Sequence, residues 1–378
     1  IKIELVRTDI DLTEGRLIET KIGSENVIFQ IINGLTREEI IEQKNSRGYV
    51  QAEAIKLGVW EEQKFKSVSY AAEPLKTTNQ QTIKSPEFNV ERIGLLPSTD
   101  YFITVDINEL VTHNTAILGI LGIGKTCLAL ELIERIISSK IKVICLDLTD
   151  EYEIELKSYL DEDKISDEIE QLNEIGIGGK MKFSQNKEEG GSITEFRKKL
   201  RELLLDFLDP NNGNECLKIY NPASFEVWRQ TGGIYNGSAA MATLTQCEIT
   251  RIFSEVTLEI LQEFGISKKA RCCLIYEEAH SLIPEWNSVA YEGDKAATNG
   301  SAKAILQGRK YGLGCLLITQ RTANVTKSIL NQCNTIFALR TLDSTGIDYL
   351  NDFIGVDYAS MLSALEDRHA IIFWKSFI

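Results

Sequence analysis

Residues Gly119-Ile-Leu-Gly-Ile-Gly-Lys-Thr126 satisfy the pattern G-x-x-x-x-G-K-[ST]. Each residue type in it has a chemical task. The glycines let successive backbone N–H groups turn toward phosphate oxygens, Lys125 reaches the β and γ phosphates, and Thr126 offers its hydroxyl to Mg²⁺. A helix opening at Lys125 would add its positive N-terminal end. The nucleotide-binding set is therefore Gly119, Gly122, Ile123, Gly124, Lys125, Thr126 and Cys127, with ATP and Mg²⁺ as the implied cofactors.

Nucleotide hydrolysis also needs one carboxylate for the metal and usually a second to orient the attacking water. Two apolar runs end in acids: Val143-Ile-Cys-Leu-Asp147 and Cys272-Cys-Leu-Ile-Tyr-Glu-Glu-Ala-His280. The second presents Glu277 and Glu278 side by side where a strand becomes a loop. Because side chains alternate along a strand, one can face the metal while the other faces the γ-phosphate. Glu277 is assigned to Mg²⁺ with Thr126, and Glu278 to water activation. His280 reads as a residue that caps or orients this loop rather than a metal ligand.

These residues must be held by strands and helices. An apolar run at 115–119, a helical pattern at 125–138 and a second apolar run at 141–147 form a βαβ unit, which implies a parallel sheet covered by helices. Strand–helix alternation resumes at 271–276, 314–319, 334–340 and 370–374. Between 150 and 265 the pattern is mostly helical, broken by glycine-rich turns at 176–191 and 232–237. The first 85 residues differ, with short β-type runs at 1–7, 15–22, 26–33 and 49–57 and one helical stretch, 36–44, opened by Thr36 and Glu39 as a capping box. They predict a small barrel or sandwich, and the polar stretch 73–86 reads as a linker. The expected organisation is a β-barrel over 1–85 and an α/β domain over 86–378 with a helical insertion at about 150–265.

Composition narrows the class. The chain has 378 residues, 43% hydrophobic and 25% charged, as expected of a folded globular protein. No apolar run approaches the roughly 20 residues of a membrane span. It opens on Ile-Lys-Ile-Glu-Leu, without methionine or a signal-peptide pattern, and closes on the apolar Phe377-Ile378, so both ends are expected to be incomplete and nothing indicates export. None of the eight cysteines forms a C-x-x-C pair and the three histidines are scattered, which predicts reduced thiols in the cytoplasm rather than a disulfide frame or zinc site.

The net charge of −14 argues against a nucleic-acid binder at first sight. However, residues 150–174 hold eleven acids and two lysines, a local −9 that leaves only −5 for the remainder. A basic channel elsewhere stays compatible with that balance. Two basic clusters occur: Lys180, Lys182 and Lys187, and then Arg197, Lys198, Lys199 and Arg201 behind a capping box of Ser192 and Glu195. A solvated helix face is the plainer reading of the second.

The motif set resembles the HerA branch of the HerA/FtsK motor ATPases. It comprises the phosphate loop, Asp147 with Asp150-Glu151-Tyr152, Glu277-Glu-Ala-His280, Gly308-Arg-Lys-Tyr-Gly312, Thr319-Gln-Arg321 and Gln332-Cys-Asn-Thr335. Gly15-Arg-Leu-Ile18 and Ala54-Ile-Lys-Leu-Gly58 are similar to the small barrel preceding the motor in that family. The resemblance implies a RecA-like phosphate-loop fold and a hexameric ring with nucleotide sites between subunits. It implies that Gln320 senses the γ-phosphate and that Arg309 enters a neighbour's site, with Arg340 a second arginine candidate. It further implies duplex DNA passing through the ring, or a platform that scaffolds an effector such as a nuclease or a sirtuin-like NAD hydrolase, in anti-phage defence. Glu277 stands where many phosphate-loop enzymes have aspartate, a Glu-Glu pair that HerA proteins commonly show, and the chain departs from the family at Ile123, where Ser or Ala is commoner, and at Thr322, where proline is usual. Residues 286–301 read as an insertion.

Overall fold

A computed structural model describes residues 2–5, 14–22, 25–34, 50–61, 64–66, 76–77, 92–97, 102–183, 192–212, 215–231, 240–285, 292–325 and 327–374. It divides into two compact units, residues 1–105 with 350–365 and residues 106–349 with 366–378. The boundary expected at 85/86, the helix expected at 36–44 and the lysine cluster's Lys187 lie outside the described residues.

The first unit is built on antiparallel strands: β1 (Lys2–Leu5), β2 (Leu17–Ile22), β3 (Glu25–Gly34), β4 (Val50–Glu61), β5 (Lys64–Lys66) and β6 (Lys76–Thr77). Their order is β1-β4-β3-β2-β6, with β5 added to β4, and among the described residues β1 and β6 do not pair to close the ladder. A short hairpin, β7 (Arg92–Leu95) with β8 (Phe102–Thr104), completes it. Val27, Phe29 and Ile31 pack with Ala52 and Ala54 on one face of the sheet, while Ile28 packs with Leu17 on the other.

The second unit carries the phosphate loop. Its sheet has the order β11 (Leu217–Tyr220), β10 (Lys142–Leu146), β14 (Cys272–Tyr276), β15 (Leu313–Thr319), β9 (Thr115–Leu118), β16 (Thr335–Leu339) and β17 (Ala370–Trp374). All neighbours are parallel except β17, which runs against β16. Every residue of β9, β10, β11, β14, β15 and β16 is buried, which is why these strands, β11 apart, read as mostly apolar runs rather than alternating ones. Beside the sheet, β12 (Trp228–Thr231) and β13 (Ala240–Thr243) form a separate hairpin. The helices are α1 (Ile107–Thr112), α2 (Lys125–Ser138), α3 (Glu151–Glu155), α4 (Glu162–Phe183), α5 (Ile193–Leu208), α6 (Gln246–Glu263), α7 (Ala279–Leu282) and α8 (Glu292–Gly308), with shorter ones further on.

Three departures from the sequence reading are physical. The span 150–265 is no mere helical insertion, because it delivers β11, an edge strand of the main sheet. Lys218 interrupts the apolar pattern of that strand, yet it is fully buried, its ammonium 2.6 Å from Glu168 on α4, with the Tyr220 hydroxyl donating to the same carboxylate at 2.9 Å. Of the supposed insertion at 286–301, residues 292–301 are the first half of α8, the crossover that the parallel pair β14–β15 demands. The glycine-rich stretch near 176 continues α4 to Phe183 instead of turning.

Ser192 does not cap α5. Its hydroxyl accepts the Trp228 N–H, and its own N–H donates to the Trp228 carbonyl. The basic cluster behind it is tied to α6: Arg197 pairs with Glu255 and Glu259, and Arg201 with Glu263. All eight cysteines are free thiols, six of them buried, with Cys127 exposed. Among the described residues no helix is long and apolar enough to cross a membrane.

Candidate nucleotide-binding site

Because β9, β14 and β15 are parallel and adjacent, their carboxyl ends lie along one edge of the sheet. The loop after β9 is Gly119–Gly124, the residues after β14 are Glu277 and Glu278, and Gln320 follows β15, which sits between the other two. The order of strands therefore brings together three motifs separated by up to two hundred residues of chain.

The loop's shape depends on glycine. Gly119 lies at φ +155°, and a Cβ there would fall 2.7 Å from Ile123 and 2.9 Å from Leu339. Gly124 has φ +102° and caps α2 without a side chain, which leaves the first-turn N–H groups of that helix for a ligand. The loop is bracketed from a distance. Ile120 N–H donates to the Arg340 carbonyl, and Arg368 N–H donates to the Ile123 carbonyl, each at 2.9 Å. Lys125 is buried and its ammonium donates to the Ile120 carbonyl at 2.8 Å, so the lysine closes over its own loop. Burial pushes its pKa down, while Glu278 and Glu277 pull it back up.

Opposite the loop, the two glutamates differ in environment. Glu277 is buried, and the Tyr152 hydroxyl donates to its Oε2 at 2.6 Å. Burial raises its pKa to about 8, with Asp147 and Glu278 adding to the rise and the Tyr152 hydrogen bond and Lys125 opposing it. Glu278 sits in the left-handed region at φ +52°. Its Oε1 accepts the Gln320 amide at 3.2 Å, and its Oε2 lies 3.1 Å from Nδ1 of His280, itself 3.2 Å from the Thr319 hydroxyl. The His280 contact, foremost among the causes, holds Glu278 below the usual carboxylate range, so it stays charged. A carboxylate so held is a weak base but a strong acceptor, which suits orienting a water more than taking its proton.

Asp147 follows β10 and commits its carboxylate to nearby groups. Its Oδ1 accepts the Thr149 N–H at 2.8 Å and hydroxyl at 2.7 Å, and its Oδ2 accepts the Tyr152 N–H at 3.1 Å. Its task is to fold residues 149–152 so that Tyr152, itself fully buried, meets Glu277. Sequence reasoning placed Tyr152 in a motif without a role, because nothing in the local pattern tells that its hydroxyl will find a carboxylate 125 positions away.

The chemistry of the donors fits Mg²⁺. A partly exposed hydroxyl, Thr126, and a buried carboxylate, Glu277, are hard oxygen ligands. Among the described residues no cluster of three or more His, Cys, Asp or Glu could cage a metal alone, so phosphate and water must complete the shell, as Mg²⁺ prefers. A divalent cation would also relieve the raised pKa of Glu277, since it favours the ionised form.

The two arginine candidates separate. Arg340 follows β16 beside the loop, and its guanidinium is paired with Asp367. Arg309 precedes β15, at the amino edge of the sheet, whereas the loop and both glutamates lie at the carboxyl edge. It is exposed, with no ion pair among the described residues. Cys127 lies exposed on the first turn of α2.

Strand, glycine loop and helix, with an acidic strand end two strands away and a glutamine between them, define a RecA-like phosphate-loop fold with a candidate nucleotide site. Residues 90–211 match the family described as "Helicase HerA, central domain". The chain is 24% identical to the DNA double-strand break repair helicase HerA of Sulfurisphaera tokodaii, over 74% of this chain and 66% of that protein. It thus spans just under two thirds of the length of that relative. Among solved structures it is similar to VirB4 of Thermoanaerobacter pseudethanolicus, with TM-score 0.45, 11% identity and coverage of 78% of this chain and 96% of that one. It is also similar to the genome packaging NTPase B204 of Sulfolobus turreted icosahedral virus 2, with TM-score 0.39, 14% identity and coverage of 69% and 90%. The chain is thus similar to HerA in its central part.

Proposed function

We propose that this protein is a ring-forming motor that hydrolyses ATP with Mg²⁺ and acts on duplex DNA. In this reading Lys125 and the loop hold the polyphosphate, Thr126 and Glu277 hold the metal, Glu278 orients the attacking water and Gln320 reports on the γ-phosphate through its bond to Glu278. The observation that carries it is the position of Arg309, exposed at the sheet edge opposite its own loop. A guanidinium there can stabilise the transferring phosphoryl group only in another copy of the chain, and head-to-tail contact of unlike edges closes into a ring. The hexamer is the number the family resemblance favours. The HerA relative's name supports DNA as the substrate.

A second reading is an ATP-regulated platform for an effector, such as a nuclease or NAD hydrolase in anti-phage defence, with little movement along DNA. One observation favours it: Arg197 and Arg201, which could have faced DNA, are committed to acids of α6. ATP hydrolysis measured with and without duplex DNA, on protein of known oligomeric mass, tests both. Strong stimulation by DNA supports the motor. Steady hydrolysis indifferent to DNA supports the platform, and a monomer without hydrolysis refutes both.

A further inference from the structure

We infer that Arg368 is a second cation for the nucleotide's polyphosphate, brought to the phosphate loop from more than two hundred residues along the chain. The inference rests on the reading of Gly119–Thr126 as a nucleotide site, and it adds a binding residue that no phosphate-loop pattern contains.

Four observations converge on it. Arg368 lies in the left-handed region at φ +63°, where a long side chain is disfavoured and glycine would be at ease. Such a conformation persists only where the surroundings over-determine it, and it concentrates at functional sites. The surroundings here are the loop itself, since the Arg368 N–H donates to the Ile123 carbonyl at 2.9 Å. Next, the stem of the side chain lies over Gly124: a Cβ built on that glycine would sit 3.0 Å from Arg368 Cγ. Gly124 is the N-cap of α2, so the arginine leaves the backbone one residue from the N–H groups that a phosphate would occupy.

The third observation concerns charge. The neighbouring acid, Asp367, is engaged by Arg340, and Lys125 faces Glu277 and Glu278. Arg368 is exposed, and among the described residues its guanidinium has neither a hydrogen bond nor an ion pair. Last, α2 carries no acid in its first turn, so no carboxylate there competes with phosphate for this group. A planar guanidinium in such a place favours bidentate contact with phosphate oxygens over contact with an uncharged base.

The test uses the full chain, Mg²⁺, and fluorescent analogues of ADP and ATP, with R368K, R368Q and R368G beside K125A as a control. R368Q and R368G should each weaken both nucleotides by roughly 10- to 100-fold, the range for a hydrogen bond to a charged group. R368K should recover most of the affinity. Without nucleotide, R368G should melt no lower than the parent, because glycine relieves the left-handed backbone, so its binding loss cannot be ascribed to unfolding. Parental affinity in R368Q overturns the inference while leaving the phosphate loop intact, provided that K125A fails to bind. A loss confined to R368G, with R368Q unaffected, overturns it equally, because the backbone and not the charge would then be responsible. If the parent binds neither analogue, the nucleotide-site reading falls first.

Discussion

Arg309→Ala decides between an arginine that works in its own subunit and one that works in a neighbour's. The strand that separates Arg309 from Gln320 is β15, seven residues long. At about 3.3 Å per residue that places roughly 20 Å between the arginine and the catalytic edge. Across 20 Å, at an effective dielectric of about 20, a unit charge contributes about 0.8 kcal/mol, and salt screening with a Debye length of about 8 Å reduces it further. Acting in its own subunit, Arg309 could therefore change the rate by no more than about fivefold. Acting on the transition state of a neighbour, it is worth roughly 10³–10⁵ in kcat, or about 4–7 kcal/mol. The two expectations do not overlap. Steady-state hydrolysis should show kcat collapsing in Arg309→Ala while nucleotide affinity stays within a few-fold of the parent. Mixing Arg309→Ala with Glu278→Gln should then restore activity, since roughly a quarter of head-to-tail interfaces in an equal mixture unite an intact Glu278 with a neighbour's intact Arg309. A mixture that exchanges subunits yet stays inactive, or an Arg309→Ala protein with parental kcat, would refute the reasoning.

Lys125→Ala should abolish nucleotide binding in a fluorescence titration, because the loop loses the side chain that reaches the β and γ phosphates, whereas Glu278→Gln should bind normally and fail to hydrolyse. The nucleotide-free protein should lose stability as pH rises. Glu277, with a pKa raised to about 8 from 4.5, keeps a proton in the folded state that the unfolded chain has already released. The loss should run between about pH 4.5 and 8, total a few kcal/mol at most, and level off above that window. Urea melts across this range should show a shallower slope for Glu277→Gln, and identical slopes would remove burial of Glu277 as the cause. Glu168→Ala should cost about 3–5 kcal/mol by leaving Lys218 buried without its partner, while Glu168→Leu paired with Lys218→Met should be close to neutral. Chemical denaturation of the two variants checks this, and a mild Glu168→Ala would mean that Glu215, 3.1 Å from Lys218, suffices as a partner.

What the sequence disclosed was whatever is encoded within one strand and its turn. The phosphate loop, α2, and the acidic end of β14 each keep their cause within about a dozen residues, so glycine spacing and apolar runs were enough to place them. Causes that arise between distant segments stayed hidden. Lys218 made β11 look unlike a buried strand because its neutralising partner lies on α4. Residues 292–301 looked superfluous until β14 and β15 proved to be parallel neighbours, which makes a crossover obligatory. Ser192 and Glu195 had the spacing of a capping box, but the Trp228 backbone claimed the serine first. In the site, Tyr152 and Arg368 escaped for the same reason, since each touches its target from a segment with no local signature of its task.

The bracketing of the phosphate loop has a consequence for how the protein is born. Ile120 and Ile123 are secured by Arg340 and Arg368, residues made more than two hundred positions after the loop itself. At roughly 5–20 residues per second, a ribosome needs about 10–50 s to travel from the loop to Arg368. During that interval the glycine loop has left the tunnel but lacks the two carbonyl and amide contacts that define its shape. On the proposed reading, a nascent chain should hold ATP less firmly until those two bonds form. Both bonds can form once β17 has threaded alongside β16. Chains released early by a stalled ribosome would carry the phosphate loop without the two bonds that bracket it.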